Sequence, residues 1–191
     1  MADNVGDVLK KIAFGIELTG GNPMRARTYE GAARTLKKIP DLRAARRGGE
    51  LEAIKGIGKG ILAIVDHVLA DEPVPQLVEL AAQIPDGMWD LRALKGLGAK
   101  KLGRLWRELD ITSVAELEYA CNENRLVELA GFGSKTQDSV LLNIAALREN
   151  AGRLRLDHAD ALAAEQIAAL LARGASRAEV TGDLRRRTET V

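Results

Sequence analysis

Three glycine pairs constrain this chain more than any other feature: Gly56-Ile57-Gly58, Gly96-Leu97-Gly98 and Gly131-Phe132-Gly133. Each follows a Leu- or Ile-bearing segment, Leu51 to Ile54, Leu91 to Leu94 and Leu126 to Leu129. Each precedes a basic residue and then a second apolar stretch. The first glycines stand 40 and then 35 residues apart, so one supersecondary unit is used three times. Two glycines around an apolar residue permit a tight turn with positive φ and leave no Cβ over the backbone N–H groups. Those amides, with the start of the next helix, face outward as an anion site.

A helix, such a turn and a second helix make the pattern of a helix-hairpin-helix, which grips nucleic-acid phosphate without reading bases. The net charge of +1 does not suggest a nucleic-acid partner, but its distribution does. Between Arg25 and Lys59 ten basic residues (Arg25, Arg27, Arg34, Lys37, Lys38, Arg43, Arg46, Arg47, Lys55 and Lys59) face four acids, a surplus of six. From Leu91 to Arg107 there are six more (Arg92, Lys95, Lys100, Lys101, Arg104 and Arg107) and no acid. Positive charge is thus concentrated around the first two turns, where phosphate would be held. Solvated helix faces are the plainer explanation for any one of these residues; their coincidence with the glycine turns favours binding for the set.

The 191 residues suffice for one or two domains with real cores. Aromatic residues are only 3%, and the predominance of Ala and Leu favours helices over a large sheet. Cys121 is the single cysteine, which excludes an intramolecular disulfide and fits a reducing compartment. The polar Met1-Ala2-Asp3-Asn4 start lacks a signal pattern. No apolar run approaches the roughly 20 residues of a membrane span. The expected location is cytoplasmic and nucleoid-associated, with no membrane partner.

Asn4 caps a first helix with apolar positions Val5, Val8, Leu9, Ile12 and Ile16, ending at Gly20-Gly21. Asn22-Pro23 opens a second, with Ala26, Tyr29, Ala33 and Leu36 as its buried stripe, stopped by Pro40. A helix from Ile61 to about Leu69 follows the first glycine turn, and Asp71-Glu72-Pro73-Val74-Pro75 reads as a connector. A short helix over Leu77, Val78, Leu80 and Ala81 leads to Pro85-Asp86-Gly87. Ser113 and Glu116 form a capping box, and a long helix runs from about Lys135 to Arg148. After Gly152, Asp157 to Leu171 reads as a helix and Ala178-Glu179-Val180-Thr181-Gly182 as one strand. The expected class is mainly α: tandem helix-hairpin-helix lobes followed by a short αβ stub.

These residues resemble the N-terminal portion of bacterial and archaeal X-family DNA polymerases, the gap-filling repair enzymes. The resemblance rests on Gly21-Asn22-Pro23-Met24-Arg25-Ala26-Arg27-Thr28-Tyr29, Gly56-Ile57-Gly58-Lys59-Gly60, Leu97-Gly98-Ala99-Lys100-Lys101, Gly131-Phe132-Gly133-Ser134-Lys135-Thr136 and Gly182-Asp183-Leu184-Arg185-Arg186-Arg187. It implies three parts: residues 1–83 as the small domain at the 5′-phosphate side of a gap, 84–150 as a helical DNA-binding domain with the second and third hairpins, and 151–191 as the opening of a palm. It implies phosphate contacts from Gly56, Gly58, Lys59, Gly60, Gly96, Gly98, Lys100, Lys101 and Arg104. Arg25, Arg27 and Tyr29 stand where the family holds a 5′-phosphate. The carbonyls of Ile54 and Ile57, and of Leu94 and Leu97, stand where it holds a monovalent cation, sodium or potassium.

The chain departs from the family at two positions. The lysine that forms a Schiff base with an abasic sugar in lyase-competent members corresponds to Ile64, which has no amine. The serine that helps hold the triphosphate corresponds to Asp183, whose charge would repel it. The catalytic Asp-x-Asp would begin about two residues after Val191, so magnesium is expected only with a full palm in a longer parent. His67 and His158 are isolated, and no catalytic constellation stands out. The expected function is non-catalytic, sequence-nonspecific binding of gapped, nicked or 5′-phosphorylated DNA. The alternatives are a fragment of an active gap-filling polymerase and abasic-site lyase, and a helix-hairpin-helix protein-interaction module. Oligomeric state is not legible.

Overall fold

The computed structural model describes residues 4–149 and 156–187, and these form helices joined by turns, with no strand among them. The chain divides into two compact units, Met1–Ile144 and Ala145–Val191.

In the first unit α1 (Val5–Leu18) begins where the Asn4 side chain accepts a hydrogen bond from the Gly6 amide at 2.9 Å. In α2 (Pro23–Leu36) the Asn22 side chain accepts from the Met24 amide at 2.8 Å, with proline in the first turn, where no amide is needed. The two helices pack through Val8, Leu9 and Ile12 on one side and Ala32, Ala33 and Leu36 on the other. The alanines add little side-chain bulk where α2 meets that face. A short α3 (Leu42–Arg47), capped by Asp41, and α4 (Lys59–Leu69) close this core with Ala45, Ile61, Ile64 and Val65. Burying a side chain such as Leu9, Ile12 or Ile64, each at 0% exposure, contributes about 1.5–3 kcal/mol.

α1 also packs against α5 (Pro75–Gln83) and α7 (Ala99–Leu109), so residues on both sides of the Asp71–Pro75 connector belong to the first unit. Glycine permits the close approach of α7: a Cβ at Gly103 would lie 2.6 Å from the Leu18 carbonyl oxygen. That same oxygen accepts from Arg107 Nη1 at 2.9 Å. Met88 and Leu91 of α6 (Asp86–Leu91), Leu102 and Leu105 of α7, Leu117 of α8 (Val114–Asn122) and Leu126 are all fully buried. α8 opens on a complete Ser113–Glu116 capping box. α9 (Ser134–Glu149) contributes Val140 and Ile144 to the buried set.

The second unit holds α10 (Leu156–Ala172) and α11 (Gly182–Arg186). Arg187 Nη1 contacts both Asp160 oxygens, at 2.7 and 2.6 Å. The strand expected over Ala178–Gly182 is absent. Residues 178–181 are irregular and Gly182 begins α11, so the αβ stub is corrected to a helical one. A lone strand leaves its ladder groups unpaired, and the described residues supply no neighbouring strand to satisfy them. The start of the expected third part, residues 151–155, lies outside the described residues, as do the side chain of His158 and residues 188–191.

Candidate functional site

The three glycine turns are built alike. The first apolar residue of each accepts from the third-next amide: Ile54 to Leu51 at 3.2 Å, Leu94 to Leu91 at 3.1 Å, Leu129 to Leu126 at 3.0 Å. The chain then reverses at Gly56 (φ +94°), Gly96 (φ +84°) and Gly131 (φ +85°), a region that costs an L side chain energy and glycine very little. The middle residue, Ile57, Leu97 or Phe132, is buried at 5% exposure or less. It pins the turn to the core while the glycines on either side face solvent. The second glycine starts the next helix by offering its carbonyl: Gly58 to Ile61 and Leu62, Gly98 to Leu102, Gly133 to Thr136 and Gln137.

The two glycines of a pair therefore have different tasks. Gly58 (φ −94°) and Gly98 (φ −76°) have ordinary extended backbones, and a Cβ at either meets nothing within 4 Å. Within the first two pairs the requirement for positive φ belongs to the first glycine, Gly56 or Gly96. Gly58 and Gly98 leave the first turns of α4 and α7 uncovered.

The basic residues divide in the same way. Lys59 and Lys100 are exposed on the first turns of α4 and α7 and make no ion pair among the described residues. Gly60 lies beside Lys59, open to solvent. Lys101 is half-buried, its ammonium 5.5 Å from the Phe132 ring centre. Arg104 faces inward to the third hairpin: its Nε and Nη2 bond Glu108 at 2.7 and 3.1 Å, its Nη1 reaches the Ala130 carbonyl, and it lies over the Phe132 ring. This hydrogen bonding holds the Glu108 carboxyl below the usual carboxylate range. Phe132 is thus core, and it docks the third hairpin onto α7.

Arg46 is likewise occupied. It bonds both oxygens of Asp66, at 2.7 and 2.8 Å, and reaches Glu52, tying α3 to α4 and depressing the Asp66 carboxyl. Arg25 and Arg27 are exposed on α2, and no hydrogen bond or ion pair among the described residues joins them to the first turn. Tyr29 packs partly against the first core. Among the described residues no hydrogen bond reaches the carbonyls of Ile57, Leu94 or Leu97, while that of Ile54 accepts from the Ile57 amide at 3.0 Å. A carbonyl oxygen has two lone pairs, so all four have capacity for a cation.

Ile64 is 0% exposed, packed in the first core. Asp183 is paired with Arg186 on α11. His67 lies 3.2 Å from a Glu72 carboxylate oxygen, and no cluster of potential metal ligands exists among the described residues. No helix among them is long and apolar enough to cross a membrane. What the spacing did not reveal is the convergence of the second and third hairpins: Lys95, Gly96 and Lys101 share one pocket with Lys135, Thr136 and Ser139. The only signal for it was the basic residue following each glycine pair.

Residues 3–72 match the family described as a helix-hairpin-helix domain. With the repeated turns, this supports an N-terminal X-family polymerase-like region. It is 31% identical over 158 residues, 83% of its length, to the DNA polymerase/3'-5' exonuclease PolX of Bacillus subtilis (strain 168). The match covers 27% of that relative, so the chain spans about a quarter of the relative's length.

Proposed function

We propose that this chain binds DNA through its phosphates, without reading base sequence, and prefers a gap or nick bearing a 5′-phosphate. It does so as the DNA-holding region of a repair polymerase. The observation that carries this reading is the repeated turn, in which Gly56 and Gly96 reverse the chain and Gly58 and Gly98 leave the following helix start bare. A phosphate oxygen there accepts from backbone amides at a helix N-terminus. On this reading Lys59 and Gly60 flank the first contact and Lys100 and Lys101 the second. Such contacts position a duplex and carry no base information. Arg104 serves by holding the third hairpin. Arg25, Arg27 and Tyr29 take the terminal 5′-phosphate. The carbonyls of Ile54, Ile57, Leu94 and Leu97 would hold a sodium or potassium ion, supplying positive charge between protein and phosphate.

Neither lyase nor nucleotide-transfer chemistry is assigned to this chain. A Schiff base needs an amine, and position 64 offers a buried isoleucine. The reading is tested by fluorescence anisotropy with duplexes that are intact, gapped, and gapped with a 5′-phosphate, alongside borohydride trapping on an incised abasic site. The 5′-phosphorylated gap should bind most tightly, lose that preference in Arg25→Ala/Arg27→Ala, and give no trapped adduct. Equal affinity for all three duplexes would refute the gap preference. A trapped adduct would refute the absence of lyase chemistry, and its loss in Lys59→Ala would name the amine.

A further inference from the structure

The pocket between the second and third hairpins joins Gly96 and Lys101, both at the second phosphate contact, to residues of α9 that have no part in that contact. It has a volume of about 270 Å³ and is lined by Lys95 and Gly96 from the turn, Lys101 from α7, and Lys135, Thr136, Ser139 and Val140 from α9. Three lysines and two hydroxyl-bearing residues line it, and no carboxylate residue does. Like charges converge at a cost unless an anion answers them. None of the three lysines makes an ion pair among the described residues.

The surroundings hold this arrangement in place. Asn143 Nδ2 on α9 donates to the Lys95 carbonyl at 3.1 Å and to the Ser139 carbonyl at 2.7 Å, tying the turn to the helix. The Lys101 ammonium rests against the face of the buried Phe132 ring, and Arg104 bonds the third hairpin at Ala130. The volume lies below the roughly 300 Å³ at which sites for larger organic ligands begin. A single tetrahedral anion suits it better: three cations for its charge and two hydroxyls to donate to its oxygens.

We propose that this pocket is a second phosphate clamp, in which Lys95, Lys101 and Lys135, with Thr136 and Ser139, hold a backbone phosphate of the strand engaged by the Gly96–Gly98 turn. The third hairpin then takes part in DNA binding through α9 side chains, while its own middle residue, Phe132, stays in the core. This rests on the DNA-binding reading, and the two can fail separately.

The test uses the full chain with Lys135→Gln and, as a remote control, Lys10→Gln, whose ammonium already faces Asp7 at 3.6 Å. Lysine 135 is exposed, so its loss leaves the fold intact. Duplex binding measured against salt should weaken several-fold in Lys135→Gln, with the slope reduced by about one, and should be unchanged in Lys10→Gln. Amide NMR shifts of Lys95, Gly96, Thr136 and Ser139 should move with a short duplex at concentrations where inorganic phosphate leaves them in place. Parent-like binding and slope in Lys135→Gln would overturn the clamp while leaving the DNA-binding reading intact. No salt-dependent binding by the parent chain would overturn both. Shifts produced by inorganic phosphate and not by duplex would overturn DNA as the source of the anion.

Discussion

Replacing Gly96 and Gly98 separately by alanine divides the architecture of the turn from its grip. Gly96 has φ +84° and open space around its missing Cβ, so Gly96→Ala meets no clash. The cost is conformational alone, about 1–2 kcal/mol for an L residue held in the left-handed region. In a unit of this size that lowers the melting temperature by roughly 2–8 °C. Gly98 has φ −76° and ψ 166°, with no atom within 4 Å of a built Cβ. Gly98→Ala should therefore fold as well as the parent, within about 0.5 kcal/mol, while its methyl group covers the helix start that phosphate must approach. Thermal and urea unfolding with duplex-binding titrations read both effects. Gly96→Ala should lose stability, and Gly98→Ala should lose affinity with stability kept. Gly98→Ala with parental affinity would refute the bare helix start as the grip. Gly96→Ala with parental stability would refute the positive-φ requirement.

Gly103→Ala should cost about 1–3 kcal/mol, because its Cβ would stand 2.6 Å from the Leu18 carbonyl oxygen and push α7 off the end of α1; chemical denaturation measures this, and parental stability would contradict the close approach. Cys121 is 1% exposed, and burial pushes its thiol up to about 11. Raised above its unfolded value, it contributes stability present below about pH 8.5 and lost as pH rises towards 11. At pH 8 iodoacetamide should modify the native protein at least roughly 100-fold more slowly than the urea-unfolded chain; comparable rates would refute the burial.

Much of the fold was legible because it is local. Asn4, Asn22 and Ser113 cap helices as their side chains dictate, and the Val5-Val8-Leu9-Ile12 stripe is buried as spaced. The three glycine turns were legible as turns, but the division of labour within a pair was not: both glycines look alike in sequence, and only the backbone shows positive φ at Gly56 and Gly96 and ordinary φ at Gly58 and Gly98. The strand at Ala178–Gly182 failed because β-branched residues express strand preference only beside a partner. Arg46 and Arg104 could not be sorted from phosphate-facing cations, since their partners, Asp66 twenty residues on and the Ala130 carbonyl twenty-six residues on, are reached only through folding. The same holds for Lys95 and Lys135, which lie apart in the chain and line one pocket only after folding.

The most direct measurement is the salt dependence of duplex binding by the full chain, from about 50 to about 200 mM salt, on two duplexes of unrelated sequence. Phosphate-directed binding makes log K fall linearly with log salt, with the same slope for both sequences. Lys100→Gln/Lys101→Gln should flatten that slope by up to about two. Affinity that is indifferent to salt, or that follows one base sequence, would contradict the account.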